Sequence, residues 1–210
     1  MKLKKNHLII VVTIALIIFA VVLSNAVFYA PSDEIPLPLV SIGIPLETSE
    51  SASLQEEAVK KVPKGYPIAL SIPKINVNAD IQKVGITAKG NMATPRSFRN
   101  VGWYKYGTVP GNIGSAVIAG HVDNGLSLPA VFSKLSNLKE GDDIYITTDE
   151  NKRLHFRVTG SEIYDFNENV PEIFRIREGK ILRLITCTGA WLKEYRTHDE
   201  RLVVSAVLVE

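Results

Sequence analysis

The sequence predicts an all-β domain of seven or eight mostly antiparallel strands, closed as a barrel or folded as a sandwich. Short apolar segments separated by turn residues run through residues 66–210, and this pattern is typical of short strands. The helical patterns in the same region are short, about two or three turns each. The alternation of strand and helix that a parallel βαβ sheet requires does not occur.

The predicted strands follow the chain from Tyr66. A stretch of short apolar segments broken by Pro and Asn comes first, and a segment of small apolar residues that ends in a histidine comes next. Two alternating segments and two strongly β-forming segments complete the domain. In order, these are YPIALSIPKINVNADIQKVG, GSAVIAGH, DDIYITTD, KRLHFRVTGSEIYDF, KILRLITC and RLVVSAVLV. The two predicted short helices are LPAVFSKLSNL and VPEIFRIREG.

A membrane anchor is predicted ahead of this domain. Residues 8–30 are uncharged and almost wholly aliphatic or aromatic, and about 20 such residues are enough to cross a bilayer. Lysines precede this segment and acidic residues follow it, so residues 1–7 are expected in the cytoplasm and everything after residue 30 outside. A cleaved signal peptide is the alternative, but its apolar core usually spans about 7–15 residues, which favours a retained single-pass anchor.

The remaining segment and the composition narrow the function classes. Residues 31–65 are rich in Pro, Ser and Glu without sustained periodicity, which predicts an extracytoplasmic linker. The net charge of +2 is too small to suggest a nucleic-acid partner. No dense group of carboxylates with metal-ligand spacing is found in the sequence, so we expect neither a metal nor a cofactor.

Cys187 is the only cysteine of the chain and cannot form an internal disulfide. Outside the cell an odd cysteine suggests a reactive thiol or intermolecular pairing. Side chains alternate along KILRLITC, so Arg183, Ile185 and Cys187 share one face and the cysteine stands at the end of the strand. A buried structural thiol is the alternative interpretation.

A thiolate nucleophile requires a proton partner and a group that stabilises negative charge. His121 follows the apolar strand SAVIAG at a strand-to-loop junction, after Gly120, which we expect to permit the close approach of a substrate. Arg201 opens the strand after Cys187 and could stabilise a carbonyl oxyanion. The alternatives are a hydrogen-bonded structural histidine and an arginine paired with Asp199 or Glu200. His155, in RLHFRV, is interpreted as a solvated strand histidine, and the role of His198, in the polar loop after the cysteine, is left open.

An ordered set of motifs resembles the sortases, which are cysteine transpeptidases of bacterial cell surfaces. The set consists of VIAGH, LITC and an arginine heading the final strand in ERLVVSAVL, with ATPRSFRNVGWY upstream and an N-terminal anchor. The resemblance covers about residues 66–210. It implies a closed eight-stranded β-barrel, a class A- or F-like sortase, and His121, Cys187 and Arg201 as the catalytic residues.

The resemblance also implies a reaction, its partners and a location. Cys187 would cleave an LPXTG-like sorting signal of an exported protein between Thr and Gly, and the thioester would pass to an amine of a cell-wall precursor or a pilin. The chain would sit in the bacterial cell membrane with its N-terminus inside. Ala119 and Ile185 match groove-lining positions of the family, and Thr186 is assigned to substrate binding with them. Arg183 replaces the usual Thr, and we expect it to shift the preference within the signal toward a polar or acidic residue.

Other functions are weighed against this one. L,D-transpeptidases typically carry a Ser-x-Gly-Cys motif that LITCTG lacks. A papain-like protease would have its cysteine early, opening a helix, with the histidine downstream. A hydrolytic sortase-like protease and an anchored, non-catalytic β-domain for adhesion or ligand binding remain open alternatives.

Overall fold

The computed structural model of the 210-residue chain describes residues 65–175 and 178–209. The predicted cytoplasmic segment 1–7 and membrane anchor 8–30 lie outside the described residues, and so does the linker 31–65 apart from its last residue. None of the helices in the described part has the length and apolar character needed to cross a bilayer.

Within the described residues, eight strands form one closed barrel, so the barrel prediction is confirmed and the sandwich alternative is excluded. Going round the barrel, the order is β1-β2-β3-β4-β7-β8-β6-β5, and β5 pairs with β1 to close it. The strands are β1 (Pro67–Ile72), β2 (Val77–Val84), β3 (Val101–Tyr104), β4 (Gly114–Ala119), β5 (Asp143–Thr148), β6 (Arg153–Asp165), β7 (Lys180–Leu192) and β8 (Thr197–Leu208).

Two parallel pairs interrupt the mostly antiparallel barrel. β2 pairs in parallel with β3, and β4 pairs in parallel with β7. The second of these pairs places β4 directly against the β7–β8 hairpin, although β5 and β6 lie between them in the sequence. This crossover brings the histidine strand beside the cysteine strand.

The sheet formed by β4, β7 and β8 is buried on both faces. Ile118, Leu184 and Val204 point into the barrel core, where each is almost fully buried. The residues next to them, Ala119, Ile185 and Val203, point outward, and the segment between β6 and β7 covers them with Val170 and Ile173. This double burial accounts for the sequence of β4, whose six residues are all buried and, apart from Ser115, are apolar or glycine.

The two predicted helices are single 3₁₀ turns, Leu135–Asn137 and Pro171–Ile173. Their apolar spacing does not mark the face of a longer helix. Phe132 and Leu135 enter the barrel core, whereas Val170 and Ile173 cover its outer face, so irregular loops wrapped on a barrel produce the same spacing.

Two further differences concern strands. β3 (Val101–Tyr104) is not among the strand predictions, because a four-residue segment is too short to show alternation. The predicted loop after Cys187 is instead a hairpin, since β7 continues to Leu192 and β8 begins at Thr197. Gly189, at a φ of +80° that favours glycine, stands where the β7–β8 register shifts.

Candidate active site

The strand register brings the three predicted catalytic residues to one end of the sheet. Cys187 on β7 pairs directly with Arg201 on β8. On the other side of β7, Ala119 pairs with Ile185 and the Gly120 N–H donates to the Ile185 carbonyl at 3.0 Å, so His121 follows at the level of Cys187. Neighbouring strands lie about 4.8 Å apart. Ala119, Ile185 and Val203 point outward, and side chains alternate along a strand. His121, Cys187 and Arg201 each lie two residues from one of them, so these three side chains also point to the outer face.

Cys187 is partly exposed and is not in a disulfide. It stands where β7 leaves the barrel wall, just after the fully covered Ile185. The alternative of a thiol sealed in the core therefore does not apply. A partly exposed thiol beside a guanidinium is an arrangement that favours the thiolate.

His121 is held from the segment upstream of β3. Its side chain is buried, and its Nε2–H donates to the Pro95 carbonyl at 2.9 Å. The ring of Phe98 packs against the imidazole edge-on, with 5.0 Å between the ring centroids. Both partners belong to the sequence ATPRSF, so this segment fixes the orientation of the imidazole.

Thr186 and Gly120 support the histidine from the inner side. The Thr186 hydroxyl donates to the Gly120 carbonyl at 2.8 Å and is buried. Thr186 therefore lies on the face opposite Cys187, which argues for a supporting role rather than contact with substrate. A protein side chain approaches Gly120 closely: a Cβ placed there would lie 2.5 Å from the Phe132 ring.

We expect Gly120→Ala to destabilise the barrel by about 1–3 kcal/mol, because the Phe132 ring is fully buried and cannot move away from a new methyl group. Denaturant unfolding would measure the change. Gly125→Ala is the matched control, since a Cβ at Gly125 meets nothing within 4 Å, and it should alter stability by no more than about 0.5 kcal/mol. Equal stability of the two variants would contradict the overpacking argument.

Arg201 is almost completely buried, and the β7–β8 hairpin holds its guanidinium. Nη1 donates to the carbonyls of His198 and Glu200, both at 2.9 Å, and Nη2 donates to the Thr197 hydroxyl at 2.8 Å. These acceptors are uncharged, so the alternative of an ion pair with Asp199 or Glu200 is not what holds the side chain. Within the described residues the buried Nε has no hydrogen-bond partner.

A groove of about 340 Å³, counting space open to solvent, lies on the outer face, and Arg201 is among its lining residues. Ile185 and Val203, both almost fully buried, contribute to the same lining. The segment between β6 and β7 forms the wall, and the Ser115 hydroxyl on β4 anchors it by donating to the Ile173 carbonyl at 2.6 Å. The groove is lined by Tyr164, Asp165, Phe166, Glu168, Val170, Ile173, Phe174, Ile185, Arg201 and Val203.

Arg183 lies on the same face as Cys187, four residues earlier on β7. Its Nε is buried, and no hydrogen bond to it is found within the described residues. Tyr164 lies close enough to Arg183 for the guanidinium charge to affect the pKa of its phenol. Burial, together with the hydrogen bond that Tyr164 donates to Glu162, raises the pKa of Tyr164 to about 12, and the positive charge of Arg183 opposes this rise. The phenol therefore stays neutral and acts as a donor.

The predicted site residues thus divide into two groups. His121, Cys187, Arg201, Ala119 and Ile185 come together on the outer face, and Arg183 lies farther along the same face. Thr186 lies behind them. Sequence reasoning missed Pro95, Phe98 and Phe132, of which only the first two had a signal, the ATPRSF segment. Within the described ranges, no group of three or more His, Cys, Asp or Glu side chains is placed to hold a metal.

Comparison with known proteins decides the family. A family model described as a sortase domain matches residues 70–209. The chain belongs to the sortase family. Sortases are cysteine transpeptidases, and the predicted resemblance is confirmed.

Solved sortases share the barrel. Sortase A from Corynebacterium diphtheriae is 24% identical, with a TM-score of 0.53; the match covers 70% of this chain and 62% of that one. Sortase C-1 from Actinomyces oris is 22% identical, with a TM-score of 0.53 and coverages of 69% and 75%. A Clostridium perfringens sortase D5 transpeptidase is 23% identical, with a TM-score of 0.52 and coverages of 69% and 79%.

These three relatives match about equally well although they carry different class letters, so the resemblance of this sortase to class A or class F stays a prediction. This sortase spans less than two thirds of the Corynebacterium chain. A search among proteins with curated descriptions returned no significant match.

Proposed function

We propose that this sortase is a membrane-anchored, extracytoplasmic transpeptidase that cleaves an LPXTG-like sorting signal between Thr and Gly. The acyl group is held as a thioester on Cys187 and passes to an amine of a cell-wall precursor or a pilin. The observation that supports this most is that β4, β7 and β8 are neighbours and bring His121, Cys187 and Arg201 to the same level of the sheet.

The first step forms the thioester. The Cys187 thiolate attacks the Thr carbonyl carbon, a C–S bond forms, and negative charge develops on the carbonyl oxygen. The Arg201 guanidinium, beside Cys187 on the paired strand, stabilises that charge. The Thr–Gly C–N bond then breaks, and the His121 imidazolium gives its proton to the departing glycine amine.

The second step forms a new peptide bond. The nitrogen of the acceptor amine attacks the thioester carbonyl, the C–S bond breaks, and the amine proton returns to the His121 imidazole. The sulfur leaves as a thiolate beside Arg201, ready for the next cycle. Because the energy of the cleaved peptide bond is kept in the thioester, the exchange requires no ATP.

The groove suits the apolar part of the signal. The partly exposed rings of Tyr164, Phe166 and Phe174 line the groove and would contact the Leu and Pro side chains. The aliphatic lining residues are almost fully buried, and Arg201 also lines the groove. The space is small, so the signal would bind as a narrow, extended chain rather than as a folded element.

The proposed location follows from the sequence. Residues 1–7 would lie in the cytoplasm, residues 8–30 would span the membrane once, and residues 31–65 would hold the catalytic barrel, residues 66–210, away from the bilayer. An enzyme placed there meets exported proteins while they are still at the membrane.

Trapping the acyl-enzyme tests the proposal. The full chain, kept in detergent because of its predicted anchor, would be incubated with an LPETG peptide, with and without triglycine. Mass spectrometry should find the LPET acyl group on Cys187 and, with triglycine, the ligated product. Peptide that remains uncleaved would contradict the proposal and leave the non-catalytic β-domain, whereas cleavage to free LPET alone would identify a hydrolytic protease.

We expect Arg183→Thr to remove a preference for an acidic residue near the N-terminal end of the signal. Arg183 lies four residues before Cys187 on β7, about 13 Å along the strand, which an extended peptide covers in about four residues. Wild type should prefer Glu over Gln at the position just before the Leu, by about 1.5–5-fold, as a partly exposed ion pair allows.

Competition between paired peptides gives the ratio of kcat/KM directly. Arg153→Thr is the matched control, because Arg153 lies over the Tyr145 ring on the β5–β6 side of the barrel. An unchanged Glu-to-Gln ratio in Arg183→Thr would contradict a role for this guanidinium in selectivity.

A further inference from the structure

The loop that follows His121 contacts the β7–β8 hairpin through a carboxylate–imidazole pair, which is an ion pair when the imidazole is protonated. His198 Nε2 on β8 lies 3.6 Å from Asp123 Oδ2, two residues after His121. The His198 side chain is only 12% exposed, whereas that of Asp123 is 34% exposed. The pair therefore connects the end of β4 to the hairpin that carries Cys187 and Arg201.

His198 makes two further contacts that lead back to the candidate active site. Its carbonyl accepts a hydrogen bond from Arg201 Nη1 at 2.9 Å. Its ring packs edge-on against Trp191, with 5.2 Å between the centroids, and Trp191 is half exposed. A displacement of His198 would thus move an acceptor of the Arg201 guanidinium.

The outer part of the hairpin lacks a core that could fix its position. From residue 188 to residue 198 no side chain is buried, whereas the barrel parts of β7 and β8 are buried at most positions. The β7–β8 register also shifts between Thr188 and Trp191. Since apolar burial does not hold this segment, its few contacts with the rest of the barrel set its orientation, among them the Asp123–His198 pair and the tilted packing of Tyr195 on Phe166.

We propose that the Asp123–His198 pair is a positioning device that sets the separation between His121 on one side and Arg201 with Cys187 on the other. The inference rests on the proposed function for its catalytic readout. Neither side chain lines the groove, so the pair acts on the geometry of the reacting groups and not on binding of the signal.

The contact between the loop after His121 and the β7–β8 hairpin is tested in the full chain with Asp123→Ala, His198→Phe and the double variant. Phenylalanine keeps a ring against Trp191 and removes the polar nitrogen. Each single variant should lower kcat by about tenfold and leave KM for the LPETG peptide nearly unchanged. The double variant should be no slower than either single one, because both changes break the same contact.

Amide hydrogen exchange provides a readout that does not depend on turnover. Loss of the pair should accelerate exchange both at residues 122–128 and at residues 188–198, while β5 and β6 keep their protection. A merely local effect would accelerate exchange only in the segment that carries the substitution.

The chain contains a matched control pair. His155 Nε2 on β6 lies 2.7 Å from Asp143 Oδ1 on β5. The hydrogen bond from His155 lowers the pKa of Asp143. His155→Phe and Asp143→Ala remove the same kind of contact without approaching the candidate active site. They should leave kcat and exchange at residues 122–128 and 188–198 unchanged.

Two outcomes would overturn the inference. In the first, the kcat values of Asp123→Ala and His198→Phe stay within about twofold of those of the control variants. In the second, the loss of kcat in the double variant equals the product of the two single losses. If the wild-type chain transfers no acyl group, the proposed function is wrong. Hydrogen exchange alone then tests whether the Asp123–His198 pair links the two segments. Joint acceleration of both segments would still support the link, and its absence would refute it.

Discussion

Cys187→Ala is expected to lower acyl transfer by about 10⁴-fold or more, because it removes the atom that carries the acyl group. Cys187 is the only cysteine, so no neighbouring thiol can replace it. Its strand lies between the strand that precedes His121 and the strand that carries Arg201. Product formation from LPETG peptide and triglycine, followed by chromatography, measures the loss.

The fold should survive this substitution. Cys187 is partly exposed and ends the buried part of β7, so an alanine leaves no closed cavity. Thermal unfolding of the variant should stay near that of wild type, and peptide binding should persist. If the alanine variant kept even about a tenth of wild-type turnover, Cys187 would not be the nucleophile.

Arg201→Lys should lower kcat/KM by about 10²–10³-fold, the effect of removing one donor from an oxyanion site. The guanidinium is planar and donates to the carbonyls of His198 and Glu200 and to the Thr197 hydroxyl at the same time. An ammonium group is a compact charge on a flexible stem and cannot reproduce that fork. Arg201→Lys therefore keeps the positive charge but not its position beside Cys187.

The pH dependence of Cys187 alkylation gives a second measurement for this variant. A guanidinium beside the sulfur favours the thiolate, so the alkylation profile should shift to higher pH when its placement is lost. Arg196→Lys is the matched control, because Arg196 is an exposed arginine in the turn of the same hairpin. If the two lysine variants have the same kcat/KM, Arg201 has no special role in the reaction.

Much of the barrel follows from local patterns in the sequence. Alternation along KILRLITC and RLVVSAVLV separates the core-facing Leu184 and Val204 from the outward Ile185 and Val203, and the structure keeps that division. Period-two alternation depends only on the geometry of a single strand, so it can be recognised without knowledge of the neighbours. The prediction of two short helices was wrong, because apolar spacing alone does not distinguish a helix from a loop wrapped on a barrel.

The order of strands round the barrel is a tertiary property, and it decides which residues meet. The β4–β7 pairing brings Thr186 to the Gly120 carbonyl across 66 residues of sequence. The positions of Phe132 against Gly120 and of His198 beside Asp123 follow from the same closure of the sheet. No local period records such contacts, because each depends on which strands become neighbours.

The sequence by itself determined most of the strands and the single thiol at the end of one of them, and it selected the histidine and arginine as candidates to act with that thiol. Only the tertiary structure decided what holds these side chains: the Pro95 carbonyl on the imidazole, the hairpin acceptors on the guanidinium, and the Phe132 ring behind Gly120. The physical reason is that strand formation depends on neighbours in sequence, whereas the orientation of a reacting group depends on neighbours in space.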